Sequence, residues 1–253
     1  MTKRSIFFIA RSAIHILCLA LLPAAAFGAH PLITDDTGTQ GKGKFQVEVS
    51  AEHASDSGNT ETALNATLSA GLLDNLDIVI GSPYIFLREK DSSGSWQRND
   101  GISDLSLALK WRFYEHEGLS LALKPGVTIP TGDEHRGLGE GKATYSLFII
   151  STKELEPFTL HFNVGYILNR TELRDIFHGS LAAEYAAAKS VKLVANISAE
   201  SNPDRSSDIH PIFALGGLIY KITDSFDMDF GVKAGLNKAE ADYTLLAGIA
   251  FRF

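Results

Sequence analysis

The chain of 253 residues has a single cysteine (Cys18), two methionines, two tryptophans and eight prolines. One thiol excludes an internal disulfide framework and a multi-cysteine metal centre. Basic residues number 23 against 30 acidic ones, a formal charge of −7. Such a chain lacks the basic surface that non-specific nucleic-acid binding needs, so no nucleic-acid partner is expected. Beyond the N-terminal segment there is no apolar run near the ~20 residues of a membrane-spanning helix. Nor does any stretch keep a helical period over the ~11 residues needed to assign one. Recognisable catalytic signatures are missing too. There is no H-E-x-x-H pair and no G-x-S-x-G elbow. "GLGEGK" at 137–142 departs from a phosphate loop, with Arg136 in place of the first glycine, Ala143 in place of the hydroxyl residue and no helix after it. No metal, no cofactor and no enzymatic activity are therefore expected.

What is present begins with "MTKRSIFFIARSAIHILCLALLPAAAFG". Basic Lys3, Arg4 and Arg11 precede an apolar stretch, and Ala26 and Gly28 are spaced for cleavage before Ala29. Residues 1–28 read as a secretory signal peptide, which implies export. The competing reading is an N-terminal anchor helix, against which His15 and Pro23 interrupt a short apolar core. Leu17 stands where a lipoprotein signal needs a small residue before Cys18. The mature chain then has no thiol, and its formal charge falls from −7 to −10. With 45% hydrophobic and 21% charged residues it is not disordered.

Residues 29–43, "AHPLITDDTGTQGKG", have three glycines and no sustained period. They read as an extended periplasmic leader that could plug whatever follows. From Lys44 onward alternating runs of about ten to twelve residues are separated by turn signals, near the 9–11 that cross a bilayer as a tilted strand. The clearest are "FQVEVSAE", "LSLALKWRF", "LSLALKPGVTI", "FTLHFNVGYIL", "VKLVANISAE", "FDMDFGVKAGL" and "TLLAGIAFRF"; with five weaker runs they number twelve. Short connections at Asp74-Asn75, "EHEG", "ELEP", "AKS" and "TDS" alternate with mostly longer polar ones at "REKDSSGSWQRND", "TGDEHRGLGEGK", "NRTELRD" and "NPDRSSD". Short turns then fall on the side of both termini, as in outer-membrane barrels. The fold expected over 44–253 is all-β, a transmembrane antiparallel up-and-down β-barrel of about twelve strands in the bacterial outer membrane.

A soluble β-sandwich would alternate in the same way, so the choice rests on the faces. One face is apolar, with aromatics gathered at strand ends, among them Trp111, Phe113, Phe158, Phe226, Phe251 and Phe253 on the short-turn side. Two such girdles suit the two interfaces of outer-membrane lipid. The other face carries Glu48, Glu52, Asp104, Lys110, Arg112, Lys124, His161, Asn163, Glu184, Lys192, Asn196, Asp227, Asp229, Lys233 and Arg252. A wet lumen can hold these groups, whereas hydrocarbon would cost several kcal/mol for each charge. Lumen acids and bases nearly balance, which argues against strong anion selectivity and favours mutual pairing over a dedicated filter.

The leader "HPLITDDTGTQGKGKFQVEVSAEH", the segment "ALKPGVTIPTGDEHRGLGEGK" and the ending "GLNKAEADYTLLAGIAFRF" resemble the family described as Putative MetA-pathway of phenol degradation. The resemblance implies an outer-membrane transporter for small molecules, including aromatic or other hydrophobic compounds, and brings no catalytic residues. The alternating ending with Phe251 and Phe253 also resembles the signal read by the barrel-assembly machinery. The expected function is passive uptake or efflux of a small-molecule solute. The alternatives are a lipase-like barrel-wall hydrolase and a non-conducting structural or adhesion barrel. His178 and Ser180 are not expected to form a catalytic pair, since both lie on one strand. For Asp35 and Asp36 three readings stand: a turn before Gly38, a calcium site, and an anchor to basic lumen residues, the turn being preferred.

Overall fold

The structure, a computed structural model, describes residues 30–90, 94–169 and 173–253. The expected signal peptide, with Cys18, lies outside the described residues. The strands are β1 (Phe45–Asp56), β2 (Asn59–Leu73), β3 (Leu76–Lys90), β4 (Trp96–Ile102), β5 (Leu105–His116), β6 (Leu119–Ile129), β7 (Thr144–Leu155), β8 (Phe158–Leu168), β9 (Ile176–Ala188), β10 (Val191–Glu200), β11 (Ile212–Thr223), β12 (Phe226–Gly235) and β13 (Tyr243–Arg252). All neighbours are antiparallel, and β1 pairs with both β2 and β13, which closes the sheet. Closure leaves no row of unpaired backbone groups, the condition for a sheet to stand in lipid.

Thirteen segments make twelve staves, because β4 and β5 both pair with β3. Lys90 to Tyr84 face Trp96 to Ile102, and Gly81 to Leu76 face Ser106 to Trp111. Ser103 and Asp104 interrupt one continuous stave. "REKDSSGSWQRND" is accordingly not the open loop that its polarity suggests. Arg88–Lys90 and Trp96–Asp100 extend the hairpin, clamped by the Arg88 guanidinium 4.1 Å above the Trp96 ring. Only the tip of that hairpin, 91–93, lies outside the described residues. The 131–142 segment is also folded: it contains a 3-10 turn at Glu134–Arg136, and Leu138 is buried beside the interruption.

The connections of β2–β3, β5–β6, β7–β8, β9–β10 and β11–β12 are each two residues long. At Glu117-Gly118 both residues have positive φ (48° and 72°), the turn whose twist matches the flanking strands. Longer connections lie at the opposite end, apart from the tight Ser57-Gly58 turn. In β13, Tyr243, Leu245, Ile249 and Phe251 point outward and are 42–48% exposed, while Thr244 and Leu246 point inward at 2% and 1%. The same split runs around the barrel, so the outer surface is a continuous apolar belt. A soluble monomer rarely shows an apolar patch above a few hundred Å², and a belt this wide requires lipid.

At the seam Gln46 faces Arg252 and Phe45 exchanges backbone hydrogen bonds with Phe253 (2.8 and 3.0 Å). On the other side of β13, Phe226 faces Phe251 and Asp227 faces Ala250. Alternation alone suggests Phe226 opposite Phe253, two residues away. A two-residue slip keeps every side chain on its face, so the pattern cannot distinguish the two registers.

Candidate functional site: a lumen crossed by the N-terminal segment

Residues 30–41 run through the barrel, deeper than a leader confined to its periplasmic mouth, and residues 42–44 emerge at the rim. At the start, His30 Nδ1 hydrogen-bonds Asp229 on β12. Pro31 packs where only a glycine leaves room: a Cβ on Gly231 would lie 2.8 Å from Pro31. Asn196 Oδ1 then accepts from the N–H groups of Ile33 and Thr34, both at 2.9 Å. Leu32 joins a small apolar cluster with Val194, Phe213, Leu215 and Leu246.

Asp35 follows at mid-lumen, 1% exposed. Its carboxylate accepts from Lys110 Nζ on β5 (2.9 Å) and from Lys124 Nζ on β6 (2.7 Å). The Asn163 carboxamide, with its oxygen toward the Asp35 N–H (2.7 Å) and its nitrogen toward the Asp35 carbonyl (2.9 Å), grips the same residue from β8. Asp36 accepts from the Gly38 N–H (2.5 Å), making the expected turn, and also from Lys110 (3.1 Å). The anchoring reading therefore holds together with the turn. Among the described residues no cluster of His, Cys, Asp or Glu is arranged to hold a metal ion.

The segment then descends. Thr37 donates from its N–H to Thr152 Oγ1 (3.1 Å) and shares a hydroxyl hydrogen bond with Ser120 (2.5 Å). Gln40 N donates to Asp77 Oδ2 at 2.9 Å, and Lys42 N to Asp74 Oδ1 at 3.2 Å. A Cβ on Gly71 would lie 1.9 Å from the Gly41 carbonyl, so this exit also depends on a glycine. The segment thus leans on the staves from β12 round to β5 and returns to the rim at β2 and β3.

Several of the remaining inward charges form local pairs. His161 shares a hydrogen bond with Thr152 (2.9 Å) and approaches Glu184 (3.4 Å), which also accepts from Lys192 (2.7 Å). Lys233 Nζ donates to Glu240 (3.2 Å) and lies 4.7 Å from the Phe213 ring centre. Arg252 donates to Asp227 (2.7 Å) and Gln46 (2.7 Å). Arg112 pairs with Glu115 near the rim, at 3.2 Å. Asp104 accepts from the N–H groups of Gly132 (2.9 Å) and Glu140 (2.8 Å), so it holds a loop. Glu48 and Glu52 have no Lys or Arg within ion-pair distance among the described residues; Glu52 accepts from Asn65 (3.1 Å).

His178 and Ser180, not expected to form a catalytic pair, are nevertheless in contact. Ser180 Oγ lies 2.9 Å from His178 Nε2, and His178 Nδ1 lies 2.6 Å from Glu200 Oε1. Residues two apart on a strand share a face, and Glu200 is the cross-strand partner of His178. Being on one strand therefore brings the hydroxyl and imidazole together rather than keeping them apart.

Asp77 was missed by the sequence reading. It sits at the start of β3 on the inward face with Val79 and Gly81, a run whose small and apolar residues weaken the alternation. Period-two counting from Val79 would have found it.

The closed sheet, the apolar exterior and the polar interior define a porin-like barrel of the outer-membrane type. The family described as Putative MetA-pathway of phenol degradation matches residues 30–253, and the chain belongs to that family. No curated protein matches the chain. Among solved structures, the NanC porin shares 10% identity over 81% of this chain and 98% of its own, with a TM-score of 0.59. The KdgM porin in complex with disordered oligogalacturonate shares 8% identity over 82% and 99%, with a TM-score of 0.58. The translocator domain of the autotransporter NalP from Neisseria meningitidis shares 12% identity over 86% and 91%, with a TM-score of 0.51. At these identities the likeness is one of fold.

Proposed function

We propose that the protein is an outer-membrane channel through which small solutes diffuse, in a lumen narrowed by its own N-terminal segment. The observation that carries this reading is the buried Asp35 carboxylate held between Lys110 and Lys124. Twelve staves enclose more space than wall side chains fill, since about eight already suffice for a filled barrel. The segment occupies that space through polar contacts. Diffusion is passive, with weak polar contacts along the remaining path. That the solutes are aromatic or hydrophobic rests on the family description alone. Insertion by the barrel-assembly machinery would use the terminal strand, with Phe251 and Phe253 outward.

Single-channel recording in planar bilayers tests this reading. Deleting residues 30–42 should raise unitary conductance severalfold while the folded barrel keeps its heat-modifiable migration on gels. Equal conductance with and without the segment would sink the narrowing role, and no conductance from either protein would sink the channel.

The Ser180–His178–Glu200 chain favours a second reading, a barrel-wall hydrolase, because nucleophile, base and orienting acid stand in hydrogen-bond order. Against it, Ser180 is only 4% exposed, and the backbone around it is paired with both β8 and β10, leaving no evident pair of free N–H groups for an oxyanion. Labelling of the intact barrel by a fluorophosphonate, abolished by Ser180→Ala, would establish the hydrolase. Absence of labelling removes it.

A further inference from the structure

The N-terminal segment leaves one sector of the wall uncovered. Between it and the periplasmic halves of β1, β2, β3 and β13 lies a cavity of about 560 Å³, within the ~300–1,000 Å³ range of small-molecule sites. Ser69, Gln46 and Val79 form part of its wall, with ionised side chains from both the barrel and the inserted segment.

Pairing those charges off leaves an unbalanced remainder. Lys110 and Lys124 are committed to Asp35, and Lys110 also to Asp36. Arg252 is committed to Asp227, and Asp224 at the rim to Lys221. Two carboxylates of the lining, Glu48 and Asp77, have no Lys or Arg within ion-pair distance among the described residues. Asp77 is 1% exposed; its Oδ2 accepts from Gln40 N, and its Oδ1 has no hydrogen-bond partner among the described residues. A buried carboxylate oxygen without a donor is costly, and a cation that supplies N–H groups would satisfy it. Of the lysine and arginine side chains that line the cavity, Lys44 alone has no carboxylate within ion-pair distance among the described residues, and it is exposed at the rim, where water and salt screen it. Higher on the same wall, Glu52 continues the run of inward carboxylates with no Lys or Arg within ion-pair distance among the described residues.

We propose that this cavity is a binding site on the permeation path for a small organic cation bearing primary ammonium groups, with Asp77 and Glu48 as its charged contacts. The inference deepens the channel reading and rests on it for the word path, but not for binding. Cations entering the lumen would meet unneutralised carboxylates, whereas anions would find the lumen lysines already occupied.

Three probes of one chain length test the charge dependence: putrescine, neutral butanediol and succinate. Added on the periplasmic side of a conducting bilayer, putrescine should block current at concentrations at least about tenfold below the other two. Asp77→Asn and Glu48→Gln together should abolish that preference, with Glu48→Asp retaining it, all in barrels that migrate as folded. Equal block by the three probes, or block unchanged in the double variant, overturns the proposal. Should the barrel fail to conduct, the channel reading fails separately. Calorimetric titration of putrescine into the folded, detergent-solubilised protein then decides binding, with heat lost in the double variant expected and no heat in the native protein refuting it.

Discussion

Asp35 is neutralised by two ammonium groups from adjacent staves, and all three groups are withdrawn from water. Breaking such a cluster by removing one partner leaves buried charge uncompensated, at a cost of about 3–5 kcal/mol. Asp35→Asn keeps the volume and removes the charge, so the inserted segment should detach and become open to proteolysis without unfolding the barrel. Asp35→Leu with Lys110→Met and Lys124→Met removes the three buried charges and leaves only the partly exposed Asp36 without its lysine, so it should restore protection to a large degree. Equal protection in Asp35→Asn and the native protein would show that the hydrogen bonds to Asn196 and Asn163 hold the segment alone. A second residue-scale expectation concerns the 131–142 loop. Burial, reinforced by the nearby Asp104 carboxylate, raises the Glu140 carboxyl above its ordinary range. The folded loop therefore holds a proton that the open loop releases. Loop packing is strongest at acidic pH and weakens as pH rises from the ordinary glutamate value through the raised one. Hydrogen-exchange protection across the loop, taken relative to the intrinsic exchange rate at each pH, should rise on mild acidification, and Glu140→Gln should flatten that response. Alternation places Lys110, Lys124 and Asn196 inward without any coordinates. Their partners were not legible, because each contact to the inserted segment spans 74 to 163 positions of sequence.

At the scale of elements, the terminal strand shows what period-two reading resolves and what it leaves open. Its lipid face follows from Tyr243, Leu245, Ile249 and Phe251, but its register against β12 does not, since shifts of two residues preserve the faces. Side-chain chemistry locates the pairing: Arg252 reaches diagonally to Asp227 and across the seam to Gln46, tying three staves at one rim. Partial exposure limits the ion pair to roughly 1 kcal/mol or less, so its main effect is on register rather than stability. Arg252→Glu should slow the appearance of the heat-modifiable species during refolding, and Asp227→Lys in the same chain should recover part of the rate. A double variant no faster than Arg252→Glu alone would remove this pair from the assembly step. The β3–β4 hairpin is the converse case. Its polar residues read as loop, yet Trp96 beneath Arg88 and Lys90 supplies the cross-strand contact that extends it. Trp96→Ala should increase exchange at Arg88–Lys90 while leaving β5 protected.

For the whole molecule, the arrangement couples a wall that faces lipid to a segment that the wall alone does not need. Every backbone group of the staves can be satisfied by closure, so the barrel should assemble without residues 30–42, while that segment has no sheet partner of its own and depends on the staves. This asymmetry, together with the disposition of short and long connections, sets up three accessibility classes for cysteines placed one at a time. Glu134 lies on the long loop between β6 and β7, and its side chain is half exposed at that end. Lys42 is exposed at the end that carries the short turns, where its N–H meets Asp74. Thr37 is 2% exposed inside the lumen. On intact cells an impermeant maleimide should label Glu134→Cys at once. Lys42→Cys should label only after the outer membrane is permeabilised. Thr37→Cys should resist in both conditions until Asp35→Asn is added, because the backbone N–H of residue 37 keeps its contact with Thr152 only while the carboxylate above it is held. Labelling of Lys42→Cys on intact cells would invert the barrel. Labelling of Thr37→Cys with Asp35 unchanged would mean that the segment leaves the lumen freely, and the narrowing of the channel would then be transient rather than built in.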